Sequence, residues 1–172
     1  MDLIILAGGY ATRLGVVVEK TPKIMLKFNN KSFFQHQLDT VINFYDNVIY
    51  SVGHLSELVI STIGTHPLKE KLTFVTDEVE GCGTGAAVIN CFPKVSDTFA
   101  VMYGDSFLLC DHQRIQNEFL KSNKSCGMVL CKASGYDENN VLYQDGKVIL
   151  YDKNKSSKNL NYLDYGLNFF TK

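Results

Sequence analysis

The chain opens with the stretch Leu3-Ile4-Ile5-Leu6-Ala7-Gly8-Gly9. A short apolar run that contains β-branched residues is typical of a buried strand in a parallel sheet. The two glycines that follow the run lack a Cβ atom, so their backbone N–H groups are open to a ligand. Open α/β sheets bind ligands at the carboxyl ends of their strands. The stretch therefore predicts a first strand, over residues 3–7, that ends in a ligand-binding turn.

Strand-like and helix-like segments alternate from the start of the chain to residue 121. Apolar runs rich in β-branched residues recur at residues 47–52, 72–76, 98–103 and 126–131. Apolar residues fall at helical spacing in residues 33–44, 55–63, 85–92 and 111–121. This alternation predicts a three-layer α/β/α domain built on a largely parallel sheet.

The pattern changes after Gly135. Residues 141–143 and 147–151 flank Asp145-Gly146, a dipeptide that commonly closes a β-hairpin. Residues 153–161 are polar and indicate an exposed loop, and residues 162–170 form one more apolar strand. The sheet is therefore expected to be mixed, although mainly parallel.

Length and charge limit the class of protein. A chain of 172 residues suits one domain. Its 17 basic and 18 acidic residues give a formal net charge of −1, which argues against nucleic acid or an anionic membrane surface as the main partner. The sequence has no run of about 18 to 20 apolar residues, the length of a membrane helix. Asp2 stands where a secretory signal carries Lys or Arg, so we expect a cytoplasmic protein.

The cysteines are predicted to be reduced and structural. Their number is odd, and no two of them form a C-x-x-C pair. Several lie in apolar runs, where a free thiol behaves as a small hydrophobic side chain. A disulfide or a metal site is the less favoured alternative. The residues concerned are Cys82, Cys91, Cys110, Cys126 and Cys131.

The turn after the first strand is the leading candidate site. Arg13 and Lys23 follow the glycine pair, and Pro22 directly precedes the lysine. A planar guanidinium grips phosphate oxygens, whereas an ammonium group supplies a compact point charge. A phosphate cradle is the functional interpretation, and a plain tight turn beside two solvated cations is the alternative. The P-loop pattern G-x-x-x-x-G-K-[ST] is absent from the sequence, and no G-x-G-x-x-G follows the first strand.

Residues 6–14, Leu-Ala-Gly-Gly-Tyr-Ala-Thr-Arg-Leu, resemble the opening signature L-A-G-G-x-G-T-R-L of the sugar-1-phosphate nucleotidyltransferases, and Pro22-Lys23 resembles their downstream P-K. The resemblance implies a Rossmann-like nucleotidyltransferase fold over residues 1–172. It also implies a nucleotide-binding part in residues 1–121 and a sugar-phosphate-binding part in residues 122–172. Ala11 replaces the third glycine, which costs about 1 kcal/mol where φ is positive.

Residues 78–87 resemble the base-recognition segment of this family, which ends in L-G-T-x-G-A. Glu78 stands where the family has a base-contacting side chain. A carboxylate only accepts hydrogen bonds, which suits the adjacent N–H donors of guanine better than the single N–H of uracil. The nucleotide-binding residues that the resemblance implies are Leu6, Ala7, Gly8, Gly9, Thr12, Arg13, Glu78, Gly83 and Thr84.

Asp105 ends an apolar strand in the dipeptide Gly104-Asp105. The resemblance implies that this carboxylate is a ligand of Mg²⁺, a hard cation that also bridges substrate phosphates. An aspartate that simply ends a strand is the alternative. The catalytic residues implied in this way are Arg13, Lys23 and Asp105.

The last part of the chain resembles the sugar-phosphate site of the family. Asp152 and Lys153 stand at its E-K pair, and Asp164 stands at the asparagine of its N-A-G. The resemblance implies that Lys153 meets the sugar phosphate, that the two aspartates accept hydrogen bonds from sugar hydroxyls, and that Asn140 lies beside the sugar.

The resemblance implies an enzyme that transfers a nucleoside monophosphate from an NTP to a sugar 1-phosphate, with Mg²⁺ as cofactor and pyrophosphate as product. GTP with a heptose or hexose 1-phosphate is one such pair, and a homo-oligomer stays open. Relatives generally continue with a further helix and a late metal-binding carboxylate, whereas this sequence stops at Lys172. This difference has three alternative explanations: Asp164 is a substitute metal ligand, the second ligand is absent, or the sequence is truncated. Two other functions stay open: a catalytically silent module that binds nucleotide or sugar phosphate, and a phosphocholine-type cytidylyltransferase.

Overall fold

A computed structural model of the protein describes residues 1–9, 21–77, 83–133 and 138–172. A six-stranded sheet forms its centre, in the order β5-β4-β1-β6-β10-β7. The strands in chain order are β1 (Asp2–Leu6), β2 (Lys27–Phe28), β3 (Lys31–Ser32), β4 (Val48–Val52), β5 (Leu72–Thr76), β6 (Thr98–Tyr103), β7 (Cys126–Cys131), β8 (Val141–Gln144), β9 (Lys147–Tyr151) and β10 (Leu163–Thr171).

The sheet is mixed and mainly parallel. β1 pairs in parallel with both β4 and β6, and β4 pairs in parallel with β5. β10 runs antiparallel to its two neighbours, β6 and β7. The carboxyl ends of β1, β4, β5 and β6 therefore lie along one edge of the sheet. The fold predicted from the alternating pattern is confirmed.

Four α-helices accompany the sheet in the described ranges. They are α1 (Phe33–Val41), α2 (Ser56–Ile63), α3 (Thr84–Asn90) and α4 (His112–Ser122). Each coincides with a predicted helical segment, although α1 ends three residues earlier than predicted. Across the ranges that the structure describes, every helix is too short or too polar to span a lipid bilayer.

The predicted hairpin is confirmed as the antiparallel pair β8–β9. A second, shorter hairpin, β2–β3, was not predicted, because its strands have only two residues each and show no periodicity. Asn29 and Asn30 form its turn, with φ angles of 49° and 64°. Asparagine tolerates this left-handed region better than most residues, so the Asn-Asn pair is the local signal that indicates the turn.

The core lies on both faces of the sheet. Leu3 and Ile5 of β1 pack into the larger cluster, which contains residues of α1, α2 and α4. Ile4 points the other way, into a smaller cluster with Cys91 and Phe99. Because side chains alternate along a strand, β1 is buried on both faces, as expected for the middle of a three-layer fold. Burial raises the pKa of the Cys91 thiol to about 11, which keeps it protonated and suits a structural role.

His112, the first residue of α4, lies in the larger core beside two aromatic side chains. It is 1% exposed, its ring stacks on Phe44 at a centroid distance of 5.7 Å, and its Nδ1 lies 3.1 Å from the hydroxyl oxygen of Tyr45. Burial lowers the pKa of this imidazole, because the charged form is poorly solvated. The folded protein therefore holds His112 neutral at pH 7.

We expect the free energy of unfolding to decrease as the pH falls through about 6.5, the ordinary pKa of histidine. The unfolded chain takes up a proton there that folded His112 resists, so stability present above that pH is lost on the acid side. Because only one proton is taken up, the free energy of unfolding can change by at most about 1.4 kcal/mol per pH unit. Urea unfolding at about pH 7.5 and about pH 5.5 measures the effect. His112→Phe should weaken this dependence, and equal stability of the natural protein at both pH values would contradict the expectation.

Candidate functional site

A cleft of about 340 Å³ opens at the carboxyl edge of the sheet. Its walls come from the ends of β1, β4, β5 and β6, from the start of α3 and from the segment around Lys23. The lining residues are Leu6, Ala7, Gly8, Gly9, Lys23, Ile24, Ser51, Asp77, Gly83, Thr84, Ala87, Tyr103, Gly104 and Asp105.

The floor of the cleft is bare backbone at the point where β1 and β4 end. A Cβ atom on Gly8 would lie 2.7 Å from Oδ2 of Asp77 and 3.2 Å from the backbone nitrogen of Gly53. A Cβ atom on Gly53 would in turn lie 2.8 Å from the carbonyl oxygen of Gly8. Neither position has room for a side chain, which explains the glycine that follows β1 and leaves the floor open to a ligand.

Gly104 brings the end of β6 equally close to β1. A Cβ atom at this position would lie 2.6 Å from the carbonyl oxygen of Leu6, and the backbone N–H of Gly104 donates a hydrogen bond to that same oxygen at 2.9 Å. The close approach places the next residue, Asp105, at the rim of the cleft. Glycine is therefore required immediately before the aspartate.

Lys23 and Asp105 meet across this rim. Nζ of the lysine donates a hydrogen bond to Oδ2 of the aspartate at 2.7 Å, although the two residues are 82 positions apart in the chain. Lys23 begins a short 3-10 turn, Lys23–Met25, which follows Pro22 and is anchored by the buried Ile24. The lysine is thus fixed at its backbone, while its side chain reaches the cleft.

This ion pair leaves both charges available to a ligand. The side chains of Lys23 and Asp105 are 40% and 50% exposed. A pair as accessible to water as this one contributes about 0 to 1 kcal/mol to stability. Lys23 can therefore leave Asp105 to bind a phosphate, and Asp105 can leave Lys23 to bind a cation, at little cost in stability. The pair is consistent with a binding role, because its contribution to folding is small.

Asp105 is a suitable ligand for Mg²⁺. Its carboxylate oxygens are hard donors, and the side chain is half exposed at the rim. In the described part of the chain, no group of three or more His, Cys, Asp or Glu side chains is placed to hold a metal ion. Mg²⁺ commonly binds through one or two carboxylates, several waters and substrate phosphates, so one carboxylate fits this mode of binding.

Asp77 lines the cleft on the opposite side from Asp105, and the sequence analysis missed it. The residue directly follows β5, and its backbone N–H donates to the carbonyl oxygen of Val52 at 2.9 Å. Its Oδ1 accepts a hydrogen bond from the hydroxyl of Ser51 at 3.0 Å. Ser51 is 1% exposed, so this contact fixes the carboxylate. An aspartate at the end of an apolar strand, the feature that singled out Asp105, was the available signal.

The structure brings together all the predicted nucleotide-binding and catalytic residues that lie in the described ranges. Predicted residues that line the cleft are Leu6, Ala7, Gly8, Gly9, Lys23, Gly83, Thr84 and Asp105. Three other predicted residues, Thr12, Arg13 and Glu78, lie outside the described residues, as does Cys82. The roles assigned to all of them stay predictions.

Two of the predicted sugar-phosphate residues, Asn140 and Asp164, are joined by a hydrogen bond. Oδ1 of Asn140 accepts from the backbone N–H of Asp164 at 2.9 Å. Oδ1 of Asp164 accepts from the backbone N–H of Gly166 at 2.9 Å. Burial raises the pKa of Asp164, and the Gly166 N–H opposes that shift. Asn140 therefore holds the start of β10, where Asp164 lies.

Tyr103 connects this second group of residues to the cleft. Its ring lines the cleft and lies close to Gly166, because a Cβ atom on that glycine would be 3.3 Å from Cδ2 of the tyrosine. Burial raises the pKa of Tyr103, and the negative charge of Asp164 raises it further. The Asp164 carboxylate is therefore electrostatically coupled to a wall of the cleft.

Asp152 and Lys153 lie just after β9. The Asp152 carboxylate accepts hydrogen bonds from the hydroxyl and the backbone N–H of Ser157, at 2.6 and 2.8 Å, and from the backbone N–H of Asn154 at 3.0 Å. These bonds, led by the Ser157 hydroxyl, lower the pKa of Asp152 to about 2. The carboxylate thus orders its own loop, and Lys153 is exposed. Their predicted roles toward a sugar phosphate stay predictions.

Comparison with known proteins identifies the family. A family model described as the MobA-like NTP transferase domain matches residues 3–146. The bifunctional protein GlmU of Methanocaldococcus jannaschii is 30% identical over 149 residues, which are 83% of this chain and 35% of that protein. GlmU of Idiomarina loihiensis is 30% identical over 142 residues, 79% of this chain and 29% of that protein. The chain thus spans about a third of the length of these curated relatives.

Solved structures share the fold. HddC from Yersinia pseudotuberculosis, crystallised with GMP-PN, superposes with a TM-score of 0.79 at 23% identity, over 99% of this chain and 76% of that one. The inositol-1-phosphate CTP transferase from T. maritima has a TM-score of 0.78 at 20% identity, over 99% of this chain and 70% of that one. The architecture, the glycine-floored cleft and the family match agree, and they confirm the resemblance found in the opening motif. The chain belongs to the family of MobA-like NTP transferase domains.

Proposed function

We propose that the protein is a nucleotidyltransferase that moves a nucleoside monophosphate from an NTP to a sugar 1-phosphate and releases pyrophosphate. The observation that carries the proposal is the Lys23–Asp105 pair, with its 2.7 Å contact, at the rim of a cleft floored by Gly8 and Gly104. A cation, a metal-binding carboxylate and an open backbone floor are the parts that phosphoryl transfer requires.

The reaction needs positioning and charge neutralisation. An oxygen of the sugar phosphate attacks the α-phosphorus of the NTP, a new P–O bond forms, and the bond to the bridging oxygen of the leaving pyrophosphate breaks in line with the attack. The attacking oxygen is already anionic, so no side chain has to remove a proton. Lys23 would stabilise negative charge on the α-phosphate or the incoming phosphate, and Arg13 would stabilise charge on the pyrophosphate.

Asp105 would hold Mg²⁺ in this site. When bound, the ion supplies positive charge that neutralises phosphate oxygens. The protein would keep the Asp105 carboxylate at the rim of the cleft, in contact with Lys23. Asp164, the other candidate ligand, lies on β10 beside Tyr103. We assign Asp164 to the acceptor because its carboxylate has acceptor positions for hydroxyl groups besides the one that the Gly166 N–H occupies.

The acceptor is proposed to bind beyond Tyr103, toward β10 and the β8–β9 hairpin. Asn140 and Asp164 form the inner part of this region through their hydrogen bond at 2.9 Å. A carboxylate accepts hydrogen bonds from hydroxyl groups, so Asp164 suits a polyhydroxylated acceptor such as a heptose or hexose 1-phosphate. Lys153 and Asp152 would complete the region at the exposed end of β9.

We propose guanine as the base that binds in the cleft. Asp77 holds a carboxylate at the β5 side of the cleft, and the Ser51 hydroxyl occupies only one of its acceptor positions. Guanine presents adjacent N1–H and N2–H donors on one edge, whereas uracil and thymine present a single N–H. The carboxylate of Glu78, proposed from the sequence, would favour the same base. We infer that GTP is the preferred nucleotide.

Replacing Asp105 with asparagine should lower turnover by about a hundredfold or more, because a charge-stabilising group is lost. Pyrophosphate release with Mg²⁺, GTP and a panel of sugar 1-phosphates measures the effect. Asp145→Asn is the matched control, since Asp145 is exposed in the β8–β9 turn at a φ of 49° that asparagine tolerates. An undiminished rate in Asp105→Asn would remove the proposed metal role.

The same assay separates the competing functions. Calorimetric binding of GTP and Mg²⁺ without any pyrophosphate release would identify a catalytically silent binding module. Turnover with phosphocholine and CTP, but with none of the sugar phosphates, would identify the cytidylyltransferase instead. Either result would overturn the proposed function.

Replacing Asp77 with asparagine should shift nucleotide preference away from GTP. Loss of a charged acceptor from a buried contact is worth about tenfold to a hundredfold, so kcat/KM for GTP relative to UTP should fall by that factor. Glu78→Gln tests the sequence-based alternative in parallel. A ratio that changes in Glu78→Gln and stays constant in Asp77→Asn would transfer base recognition to Glu78.

A further inference from the structure

Gln37, in the middle of α1, reaches across to the loop that carries Asp105. Its Nε2 donates two hydrogen bonds, one to the carbonyl oxygen of Tyr103 at 3.0 Å and one to the carbonyl oxygen of Ser106 at 2.7 Å. These two carbonyls lie on either side of Gly104 and Asp105. One side-chain amide therefore bridges both ends of the turn that presents the carboxylate.

The position of Gln37 is unusual for a polar residue. It lies in the buried stripe of α1 with Phe34, Leu38 and Val41, and it is 0% exposed. Its Oε1 is buried and has no hydrogen-bond partner among the described residues. Burying a polar atom without a partner destabilises the folded state, so packing alone favours an apolar residue here. The two hydrogen bonds that Nε2 donates offset the cost of burying Oε1.

Two backbone hydrogen bonds also hold this turn among the residues that the structure describes. The backbone N–H of Ser106 donates to the carbonyl oxygen of Tyr103 at 3.2 Å, and the N–H of Gly104 donates to Leu6 at 2.9 Å. Asp105 lies between these two bonds with its side chain half exposed. The amide of Gln37 is thus the contact that ties the far side of the turn, at Ser106, to the core.

The same helix also supports the partner of Asp105. α1 packs against the 3-10 turn Lys23–Met25, which carries Lys23. The start of α1 is fixed by Ser32, whose backbone N–H donates to the side-chain oxygen of Gln35 at 2.9 Å. One helix therefore braces both segments whose side chains meet at 2.7 Å.

We infer that Gln37 is a positioning residue, which clamps the 103–106 turn so that the Asp105 carboxylate stays opposite Lys23. Its relevance to catalysis rests on the proposed function of Asp105, whereas the clamp itself is a property of the fold. A misplacement on the order of 1 Å at a reacting site costs up to about a hundredfold in rate, so a loose turn matters for turnover.

Gln37→Met tests the clamp, because methionine is unbranched like glutamine and has no N–H donor. Gln116→Met is the matched control: Gln116 is also buried in a helix, and its Nε2 donates to the carbonyl oxygen of Phe44 at 2.9 Å, outside the cleft. Hydrogen exchange measured by mass spectrometry on a peptide that covers residues 103–106 is the first readout. We expect about tenfold faster exchange in Gln37→Met and unchanged exchange in Gln116→Met.

Turnover and its pH dependence give the second readout. Gln37→Met should lose about tenfold to a hundredfold in kcat, whereas Gln116→Met should keep the natural value. Gln37→Glu preserves the shape of the side chain. Its ionised form has no donor for the carbonyl oxygens of Tyr103 and Ser106, and its negative charge repels them. Only the protonated form donates a hydrogen bond, so the activity of this variant relative to the natural protein should recover as the pH falls. The same substitution at the control position, Gln116→Glu, measures the general cost of a buried carboxylate. A recovery of activity in Gln37→Glu that exceeds the recovery in Gln116→Glu distinguishes the clamp from a merely structural role.

Unchanged exchange over residues 103–106 in Gln37→Met, or an equal change in Gln116→Met, would overturn the clamp. The exchange measurement does not depend on turnover. If the natural protein releases no pyrophosphate, the proposed function fails, while faster exchange in Gln37→Met alone still establishes the clamp. If exchange is unchanged and the natural protein is active, the clamp fails and the proposed function stands.

Discussion

The site depends on how closely three parallel strands approach one another at their carboxyl ends. Gly8 lies against Gly53 at the β1–β4 junction, and Gly104 lies against Leu6 at the β1–β6 junction, with no space for a Cβ atom at either contact. Because no side chain rises from these junctions, the floor between them is open backbone. The candidate side chains therefore stand around the floor, and a side chain at Gly8 or Gly104 would have no room beside the neighbouring strand.

The sequence predicts the positions of the strands well, because the strong signals are local and periodic. β5, β6 and β7 begin and end at the predicted residues, since apolar runs bounded by turns define buried strands clearly. Asp105 was also predictable, because an aspartate that ends a strand at the ligand-binding edge needs only local sequence to be noticed. Its contact with Lys23 could not be predicted in this way, because the two residues are 82 positions apart and only the fold brings them together.

Other features of the site have no such local signal. Gln37 resembles any polar residue on a helix until its place in the buried stripe is known, and the two carbonyls that it binds are 66 and 69 residues away. Asp152 shows a contact of another kind: its carboxylate accepts hydrogen bonds from Ser157 and Asn154 in its own loop, and its predicted role toward a sugar stays a prediction. Local pattern identifies candidate groups, whereas the hydrogen bonds that they make with distant residues or within their own loop appear only in the fold.

The distribution of charge along the cleft gives the proposed nucleotide a direction. Asp77 stands at the β5 side without a described cation in contact with it, and Ser51 is a neutral donor to it. Asp105 stands at the β6 side and has Lys23 beside it at 2.7 Å. A triphosphate placed over Asp77 would set anion against anion in a half-buried site, whereas the neutral base has N–H donors for that carboxylate. We therefore propose that the phosphates lie at the end where the ammonium group of Lys23, and the cation that Asp105 is proposed to hold, would offset their charge. Among the residues that the structure describes, Lys23 is thus the feature that distinguishes the two carboxylate-bearing ends of the cleft.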